Sequence, residues 1–428
     1  MRIDAVRPPL PGVVVTPRQA HAAELMRRIG EPLLPGNRVG LLKDGPAAFA
    51  SMFEAIAQAR DHINIESYTV DAGGPGEELA RLLVKRCAEG VRVNLLFDSV
   101  GSLMTSADYF GGLRRAGVSL CEYNPVQRWR ALLGKALHLR NHRKLMVIDG
   151  RIGFIGGMNI STVYASGSSP LTAAKTAAKT AATAALEAAV SPAPQAETGP
   201  GWHDLHLRIE GPVVGRLQQL FTRHWQRHAD TPMQSARYFP PLAAVGTQRV
   251  SLAACDAGRR ANPVYSALLG AIETARSRIL LTTAYLVPPR RLLRALICAA
   301  ERGVAVELLL PGKSDFWAPL HAGRSHYSAL LRAGVRIHEH HDSLLHAKAC
   351  VIDGVWASVG SSNADWRSFV HNAEANVVVI DDDFGAQLEA AFQEDVLRAR
   401  HVDAERWARR SAWLRFKESM ARRFEYLL

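Results

Sequence analysis

The hydrophobic and polar positions along the chain follow one pattern in both halves. Amphipathic stretches with apolar residues at i, i+3 and i+4 alternate with short runs of apolar and β-branched residues. The segment "AIAQARDHINIESY" begins at Ala55, and "AIETARSRILLTTAY" begins at Ala271. Each predicts a short amphipathic helix that runs into a buried strand. Helices that alternate with buried strands indicate an α/β fold.

Two further pairs of segments match at nearly the same separation. "LLVKRCAEGVRVNLLFD", from Leu82, matches "LICAAERGVAVELLLP", from Leu296, and "RRAGVSLCEY", from Arg114, matches "LRAGVRIHEH", from Leu331. The offsets of the three pairs lie between 213 and 217 residues. A nearly constant offset indicates two copies of one structural unit. We therefore predict two tandem α/β/α sandwich repeats that pack about a pseudo-twofold axis.

The composition of the chain divides it into four predicted regions. These are an N-terminal extension (1–36), a first repeat (37–236), a second repeat (237–400) and a basic amphipathic C-terminal helix (401–428). The first repeat contains an Ala-rich stretch at about 165–200, which has few large apolar side chains and is bounded by Ser, Pro and Gly. We interpret this stretch as a mobile insertion that carries no chemistry.

The bulk composition restricts the class of protein and its partners. Hydrophobic residues make up 48% of the chain, and the formal net charge is +12. Such a charge favours anionic partners, namely nucleic acid, an acidic membrane surface or phosphorylated substrates. Five scattered cysteines without metal-type spacing favour a reducing, cytosolic setting. No signal peptide is recognisable, and no apolar run reaches the roughly 18–20 residues of a membrane span, so we expect a protein that is not integral to the membrane.

A fourth pair of segments carries the candidate chemistry. "NHRKLMVIDG" covers Asn141–Gly150, and "LLHAKACVIDG" covers Leu344–Gly354. Alternate side chains of a strand share one face, so the histidine and the lysine of each segment point the same way. Each Asp-Gly predicts a hairpin turn, and each hairpin is followed by an amide side chain. The candidate residues are His142, Lys144, Asp149 and Asn159 in the first copy, and His346, Lys348, Asp353 and Asn363 in the second.

Two such segments, brought together, would form a site for a phosphodiester. The lysines and the amides of Asn159 and Asn363 would bind the phosphate oxygens and stabilise a five-coordinate phosphorus. One imidazole would attack phosphorus, and the other would act as general acid and then as general base. We expect the two aspartates, Asp149 and Asp353, to fix the hairpins rather than to contact substrate. Lysine is a poor metal ligand, and no carboxylate lies at metal-binding spacing, so we expect neither a metal nor another cofactor.

Each catalytic imidazole also needs an acceptor for its second nitrogen. The second copy offers Glu374, 28 residues beyond His346, and the first copy offers Asp204, 62 residues beyond His142. The two spacings differ by 34 residues, which is close to the length of the Ala-rich insertion. Asp204 and Glu374 therefore occupy equivalent positions in the two copies, and we predict that they orient the histidines.

These segments resemble the phospholipase D superfamily, whose signature is H-x-K-x-x-x-x-D followed by G-G/S-x-N. Both copies are complete, and the resemblance extends over about residues 36–400. The stretches "RNHRKLMVIDG", "GSSNADWRSF" and "NAEANVVV" are most similar to bacterial cardiolipin synthases of the short type without N-terminal membrane spans. The resemblance implies transfer of a phosphatidyl group to phosphatidylglycerol through a phosphohistidine. It also implies that the histidine, lysine and aspartate of both motifs are catalytic, with His142 as nucleophile and His346 as acid/base.

The resemblance also sets expectations about partners and location. We expect phospholipid substrates, with phosphatidylglycerol or phosphatidylethanolamine as donor, no obligate nucleic acid, and a monomer at the cytoplasmic face of the cell membrane. The C-terminal segment has aromatic residues at helical spacing among arginines and lysines, which fits either an interfacial helix on anionic lipid or a helix docked on its own domain. The basic loop around Trp129 and the segment Asp315–Tyr327 are further candidates for the substrate entrance.

Three alternatives to phosphatidyl transfer remain open from the sequence. The same histidines and lysines could cleave nucleic acid, which the basic charge would favour. Water instead of an alcohol could reach the phosphohistidine, which would make the protein a phospholipase D-type hydrolase. A non-catalytic scaffold is disfavoured because both motifs are intact. Aromatic residues form only 7% of the chain and much of the basic excess lies near the C-terminus, which favours lipid over nucleic acid.

Overall fold

The computed structural model describes residues 16–125, 138–168, 201–234, 236–259 and 261–428. Trp129 and nearly all of the Ala-rich insertion lie outside the described residues, as does the start of the predicted N-terminal extension. The described strands are β1 (Leu34–Lys43), β2 (His62–Ser67), β3 (Arg92–Asp98), β4 (Ser119–Tyr123), β5 (Leu145–Ile148), β6 (Ile152–Gly156), β7 (Leu205–Glu210), β8 (Gln248–Cys255), β9 (Arg278–Thr282), β10 (Leu286–Val287), β11 (Ala305–Pro311), β12 (Arg336–His340), β13 (Ala349–Ile352), β14 (Trp356–Gly360), β15 (Ala364–Asp365), β16 (Glu374–Ile380) and β17 (Ala399–His401).

The helices lie between these strands in the alternation that the sequence predicts. They are α1 (Pro17–Ile29), α2 (Asp44–Gln58), α3 (Pro75–Ala88), α4 (Ala107–Arg115), α5 (Val214–His228), α6 (Pro263–Thr274), α7 (Arg290–Glu301), α8 (Trp317–Arg332), α9 (Asp382–Leu397), α10 (Ala404–Ala408) and α11 (Ala412–Arg422). Several begin at a side-chain cap; for example, the Asn262 side chain accepts a hydrogen bond from the Tyr265 N–H at the start of α6.

One mixed sheet contains fifteen of the described strands. Its order is β17-β12-β11-β9-β13-β14-β16-β8-β1-β7-β6-β5-β2-β3-β4. The two halves meet where β1 and β8 pair antiparallel at Leu34↔Val250 and Asn37↔Gln248. From this junction outward, β1-β7-β6-β5-β2-β3-β4 in one half corresponds to β8-β16-β14-β13-β9-β11-β12 in the other. The prediction of two α/β repeats related by a pseudo-twofold axis is confirmed, with the added finding that the two sheets are continuous.

Alternation along equivalent strands builds the core in layers. In β5, Leu145 and Val147 face a central cluster that contains residues of both repeats, whereas Met146 and Ile148 face a cluster of the first repeat alone. In β13, Val351 joins the same central cluster and Ile352 faces away from it, towards the second repeat. Since both faces of these short strands are buried, they read as continuous apolar runs in the sequence. The central cluster holds the two repeats together, and the motif segments at the start of β5 and β13 border it.

The C-terminal segment differs from the predicted single helix. It contains β17, α10 and α11, and the side chains of Asp403 and Ser411 cap the starts of the two helices. The Ser411 cap begins a new helix at Ala412, which explains the interruption. Trp407 packs against Tyr327, with ring centroids 5.0 Å apart, so part of the segment docks on its own domain. No helix among the described residues is both long and apolar enough to cross a membrane.

Candidate active site

The two motif segments lie between the repeats, each held by the backbone of the other repeat. The His142 N–H donates to the Ala373 carbonyl over 2.9 Å, and the His346 N–H donates to the His203 carbonyl over 2.7 Å. Parallel bridges join Asn141 to Ala373 and His203 to Leu345. The folded chain therefore brings together the two segments that the sequence places about 200 residues apart.

Each motif histidine contacts a carboxylate from the opposite repeat. Nδ1 of His142 lies 3.0 and 3.2 Å from the two carboxylate oxygens of Glu374, and Nδ1 of His346 lies 2.6 Å from Oδ2 of Asp204. The sequence predicted both carboxylates as partners of the histidines without deciding which carboxylate serves which histidine, and in the structure each pair joins opposite repeats. The pairs cross because the residues before β7 and β16 run alongside the motif segment of the other repeat.

Both motif lysines are buried beside the histidines. Nζ of Lys144 donates to the His142 carbonyl over 2.7 Å, and Nζ of Lys348 donates to the His346 carbonyl. Nζ of Lys144 also lies 5.3 Å from the ring centre of Tyr68. Burial and the charge of Lys348 lower the pKa of Lys144 to about 7, and burial lowers the pKa of Lys348 to about 8. A bound phosphate would restore the charge that burial disfavours.

The surroundings of both imidazoles favour their neutral form. Burial and the neighbouring lysines lower the pKa of His142 to about 4, and the same causes hold the pKa of His346 well below its ordinary value. Because a carboxylate only accepts hydrogen bonds, Nδ1–H of each neutral ring faces its carboxylate and Nε2 keeps its lone pair. This is the tautomer that a nucleophile or a general base requires.

The two carboxylates differ in their surroundings. Burial favours the neutral form of Glu374, but His142, Lys144 and the Ser361 hydroxyl hold its pKa below the ordinary value. Oγ of Ser361 lies 2.5 Å from Oε2 of Glu374. Burial raises the pKa of Asp204 to about 6, although Lys348 opposes the shift. We call each motif histidine, with its carboxylate and the lysine of its motif, a half-site. The half-site of His142 therefore has a more firmly ionised carboxylate than the half-site of His346.

The two amide side chains are also buried, in unequal surroundings. Oδ1 of Asn159 accepts a hydrogen bond from the Thr69 N–H over 3.2 Å. Oδ1 of Asn363 has no hydrogen-bond partner among the described residues, although the Asn363 N–H donates to the Ser368 hydroxyl. Their role as phosphate ligands stays a prediction.

Asp149 and Asp353 lie in the hairpin turns, at the far ends of β5 and β13 from the histidines. Both have a positive φ of 52°. The Asp149 carboxylate accepts from three successive backbone N–H groups, at residues 60–62, and the Asp353 carboxylate does the same at residues 276–278. Oδ2 of Asp353 also lies 2.9 Å from Nε2 of His21 in α1. The structure thus does not bring the motif aspartates to the site, contrary to the catalytic role that the resemblance implies, and their contacts fit the expected structural role.

Aromatic residues that the sequence reasoning did not assign to the site surround the imidazoles. The Tyr68 ring lies 5.3 Å from that of His142, and the Trp202 ring lies 5.3 Å from that of His346. The Tyr164 hydroxyl lies 3.0 Å from Nδ1 of His346. Two features of the sequence could have indicated these aromatic residues. Tyr68 is the last residue of a repeated segment, and Trp202 lies two residues before the candidate Asp204.

A buried charge network supports the half-site of His346. The two ring nitrogens of His203 lie 2.6 Å from Oδ1 of Asp44 and 2.8 Å from Oδ2 of Asp395. Burial disfavours the charged ring, but Asp395 and Asp44 outweigh it and raise the pKa of His203 to about 10. Since His203 precedes Asp204 and its carbonyl accepts the His346 N–H, this imidazolium fixes the backbone between Asp204 and His346.

Comparison with known proteins relates this arrangement to a family. A family model described as "Cardiolipin synthase, PLD-like domain" matches residues 52–172 and 268–396. The cardiolipin synthase of Geobacillus kaustophilus (strain HTA426) is 32% identical over 417 residues, which cover 97% of this chain and 77% of the relative. That of Listeria monocytogenes serotype 4b (strain CLIP80459) is 31% identical over 395 residues, with 92% and 76% covered.

Two solved structures share the fold at low sequence identity. Phosphatidylserine synthase from Haemophilus influenzae Rd KW20 superposes with a TM-score of 0.67 at 14% identity, covering 95% of this chain and 99% of its own. Polyphosphate kinase from Porphyromonas gingivalis superposes with a TM-score of 0.54 at 13% identity, covering 86% of this chain and 49% of its own. These two likenesses concern the fold alone.

Proposed function

We propose a division of roles between the two motif histidines, from the premise that the chain belongs to the cardiolipin synthase family of phospholipase D-like proteins and is a phosphatidyltransferase. One histidine forms the covalent bond to phosphorus, and the other transfers the protons. The observation that carries the proposal is the meeting of two complete histidine–carboxylate pairs and two buried lysines at one place between the repeats. Lys144 and Lys348 bind the phosphate oxygens of the donor lipid, with Asn159 and Asn363 as further ligands.

His142 is the nucleophile in this proposal. Its Nε2 attacks phosphorus, the bond between phosphorus and the headgroup oxygen breaks, and a phosphatidyl-histidine forms. The ionised Glu374 holds the Nδ1 proton and stabilises the positive charge that develops on the ring. The firmer ionisation of Glu374 relative to Asp204 favours this assignment over the reverse.

His346 is the general acid and then the general base in this proposal. The negative phosphodiester favours protonation of a neighbouring imidazole, and His346 gives that proton to the departing headgroup oxygen. The neutral ring then takes the proton of the glycerol hydroxyl of phosphatidylglycerol, whose oxygen attacks phosphorus and releases His142. The proton that leaves with the first alcohol is regained from the second, so the cycle returns to its starting state.

The proposal extends to partners and location. Phosphatidylglycerol is the acceptor, and phosphatidylglycerol or phosphatidylethanolamine is the donor. The protein acts as a peripheral monomer at the cytoplasmic face of the cell membrane, since one chain supplies both halves of the site. No nucleic acid is required.

The test of the reaction uses the purified chain with vesicles of phosphatidylglycerol, with and without phosphatidylethanolamine, and mass spectrometry of the lipid products. We expect cardiolipin, which His142→Ala and His346→Ala abolish and the exposed control His401→Ala leaves unchanged. Phosphatidic acid as the sole product would identify a hydrolase. Absence of any lipid product, together with cleavage of an oligonucleotide, would identify a nuclease.

The division of roles is tested by trapping the covalent species. The chain is denatured at alkaline pH during turnover, and the intact mass is measured. We expect His346→Ala to accumulate an adduct of one phosphatidyl group and His142→Ala to show none. An adduct on His142→Ala and none on His346→Ala would exchange the two roles.

A further inference from the structure

Three pairs of large apolar side chains are exposed on the connection that follows β3, on the connection that follows β11 and on α11. Leu103 and Met104 are 67% and 95% exposed, Phe316 and Trp317 are 60% and 53% exposed, and Trp413 and Phe416 are 62% and 53% exposed. Single exposed apolar residues are ordinary on soluble proteins, whereas their accumulation around one site marks an interaction surface.

The first two pairs occupy equivalent positions in the two repeats. Leu103 and Met104 lie in the connection from β3 to α4, and Phe316 and Trp317 lie where β11 connects to α8. Since β3 and β11 correspond in the sheet, the pseudo-twofold axis relates the two connections. Their sequences differ, but both present two adjacent large apolar side chains to solvent.

The connection in the first repeat is attached to the half-site of His142. Asp98, at the end of β3, accepts the Asn141 N–H over 2.8 Å. Oγ of Ser102 donates to the Tyr68 carbonyl over 3.4 Å, and the Tyr68 ring contacts His142. Leu103 therefore follows directly on a residue that packs against the wall of the site.

The connection in the second repeat is attached in the same way. The Tyr285 hydroxyl donates to Oδ1 of Asp315 over 2.6 Å, and the Phe316 ring lies 6.5 Å from that of Tyr285. Asp315 is close enough to Lys348 to favour its charged form. Phe316 and Trp317 thus follow directly on a residue that is hydrogen-bonded to Tyr285 and acts electrostatically on Lys348.

The third pair lies on α11, which packs against α8, the helix that begins at Trp317 in the second connection. The stacked Trp413 and Phe416 rings lie 5.4 Å apart, and Nζ of Lys417 lies 5.4 Å from the Trp413 ring centre. Lys417 acts electrostatically on His321, whose ring lies 4.9 Å from that of Trp317. At the chain end, the Leu428 carbonyl accepts from the Arg367 N–H, in the segment that follows Asn363.

Exposed cations accompany the second and third pairs. They include Lys313, Arg409, Arg415, Arg422 and Arg423. Aromatic side chains beside arginine and lysine fit the boundary between headgroups and acyl chains, where each cation gains from anionic lipid. A protein partner would not need this excess of positive charge.

We propose that the three pairs form one lipid-docking surface, which seats the site on an anionic phospholipid bilayer. The choice of a bilayer rests on the phosphatidyl transfer proposed above, because both lipid substrates reside there. Six apolar side chains insert at the level of the headgroups, and the cations bind lipid phosphates around them. A lipid phosphate then reaches the histidines without leaving the membrane surface.

The test measures binding to vesicles by sedimentation, separately from catalysis. The full chain carries His142→Ala, so that no phosphatidyl-enzyme forms and lipid is not consumed, and the vesicles contain equal parts of phosphatidylglycerol and phosphatidylcholine. The variants are Leu103→Ser with Met104→Ser, Phe316→Ser with Trp317→Ser, and Trp413→Ser with Phe416→Ser. Leu397→Ser is the matched control, since Leu397 is 86% exposed at the end of α9. Thermal unfolding verifies that each variant is folded, and Gln replaces Ser in any that is not.

We expect each double variant to bind about tenfold more weakly and Leu397→Ser to bind as the parent does. Vesicles of phosphatidylcholine alone should bind the parent about tenfold more weakly as well. Parent-like binding by any of the three variants, or an equal loss with Leu397→Ser, would overturn the three-part surface. Failure to make cardiolipin would overturn the proposed reaction instead, and the binding result stands apart from it.

Discussion

Nδ1 of His142 lies 3.0 Å from Oε1 of Glu374, a residue 232 positions away in the other repeat. The equivalent contact joins His346 to Asp204 over 2.6 Å. Neither repeat alone therefore contains an oriented histidine, and each half-site is completed only when the two repeats pack together. This relationship makes the order of the chemical steps experimentally separable.

The crossed pairs predict different kinetic defects for the two carboxylates. Glu374→Gln should slow formation of the phosphatidyl-enzyme, because the nucleophile loses its ionised partner. Asp204→Asn should slow both its formation and its breakdown, because His346 donates a proton in the first step and accepts one in the second. Each change should lower kcat/KM by up to about 10⁴-fold, the loss seen when the aspartate of a Ser-His-Asp triad is replaced by asparagine. Rapid-quench measurement of adduct formation and decay separates the steps.

Pairing within each repeat would reverse this outcome, with Asp204→Asn slowing formation alone and Glu374→Gln slowing both steps. Asp381→Asn serves as the control, because Asp381 is a buried carboxylate that caps α9 outside the site. It should change neither step in the protein that remains folded.

The buried lysines predict a fall in activity on the alkaline side. The pKa of Lys144 is lowered to about 7 by burial and by Lys348, so Lys144 loses its proton as the pH rises through that value. We expect kcat/KM, which reports the free enzyme, to decline above about pH 7. Lys144→Arg keeps its charge at all these pH values and should move the decline towards about 8, the pKa of Lys348. Lys85→Arg, an exposed exchange on α3, should leave the profile unchanged, and an unchanged profile in Lys144→Arg would contradict the assignment.

The His203 network predicts a stability that depends on pH. The pKa of His203 is raised from its ordinary 6.5 to about 10 in the folded chain. The contribution of the charged His203 ring to the free energy of unfolding is therefore complete below about pH 6.5, and it is lost as the pH rises through 10. His203→Gln should lower the free energy of unfolding by about 3–5 kcal/mol at pH 6.5, because Asp44 and Asp395 are left buried without their cation.

Urea unfolding at pH 6.5 and at pH 9.5 measures this difference. The loss caused by His203→Gln should be smaller at the higher pH, whereas the exposed control His401→Gln should cost little at either. An equal loss at both pH values would show that the His203 ring does not gain a proton on folding.

The turn aspartates predict a loss of stability without loss of chemistry. Asp149→Gly and Asp353→Gly preserve the positive φ but remove the acceptor of three backbone N–H groups. We expect each to cost about 1–3 kcal/mol in unfolding free energy. The cost should be larger for Asp353, which also binds His21 and the Ser277 hydroxyl. The kcat/KM of the folded fraction should stay within about threefold of the parent, because neither carboxylate lies at the site. A large loss of kcat/KM at unchanged stability would instead place these aspartates in the reaction.

The architecture and most of the candidate site could be predicted from the sequence because they depend on local patterns. Strand and helix periodicity, repeated at a nearly constant offset, predicted the two α/β repeats that the sheet order displays. The two histidines and two lysines stood in short motifs, and Asp204 and Glu374 followed from equal spacing once the insertion was set aside. The turn role of Asp149 and Asp353 was readable from Asp-Gly between apolar runs.

The partner of each residue was decided only by the tertiary structure. A spacing counted along one repeat cannot show that the start of β7 lies beside His346 and the start of β16 beside His142. The His203 network likewise joins residues far apart in the chain, and its charge depends on burial that no local pattern records. The sequence by itself determined which groups the site contains and where strands turn, since these depend on neighbouring residues. The packing of one repeat on the other decided which carboxylate serves which histidine, because that contact exists only after the two repeats meet.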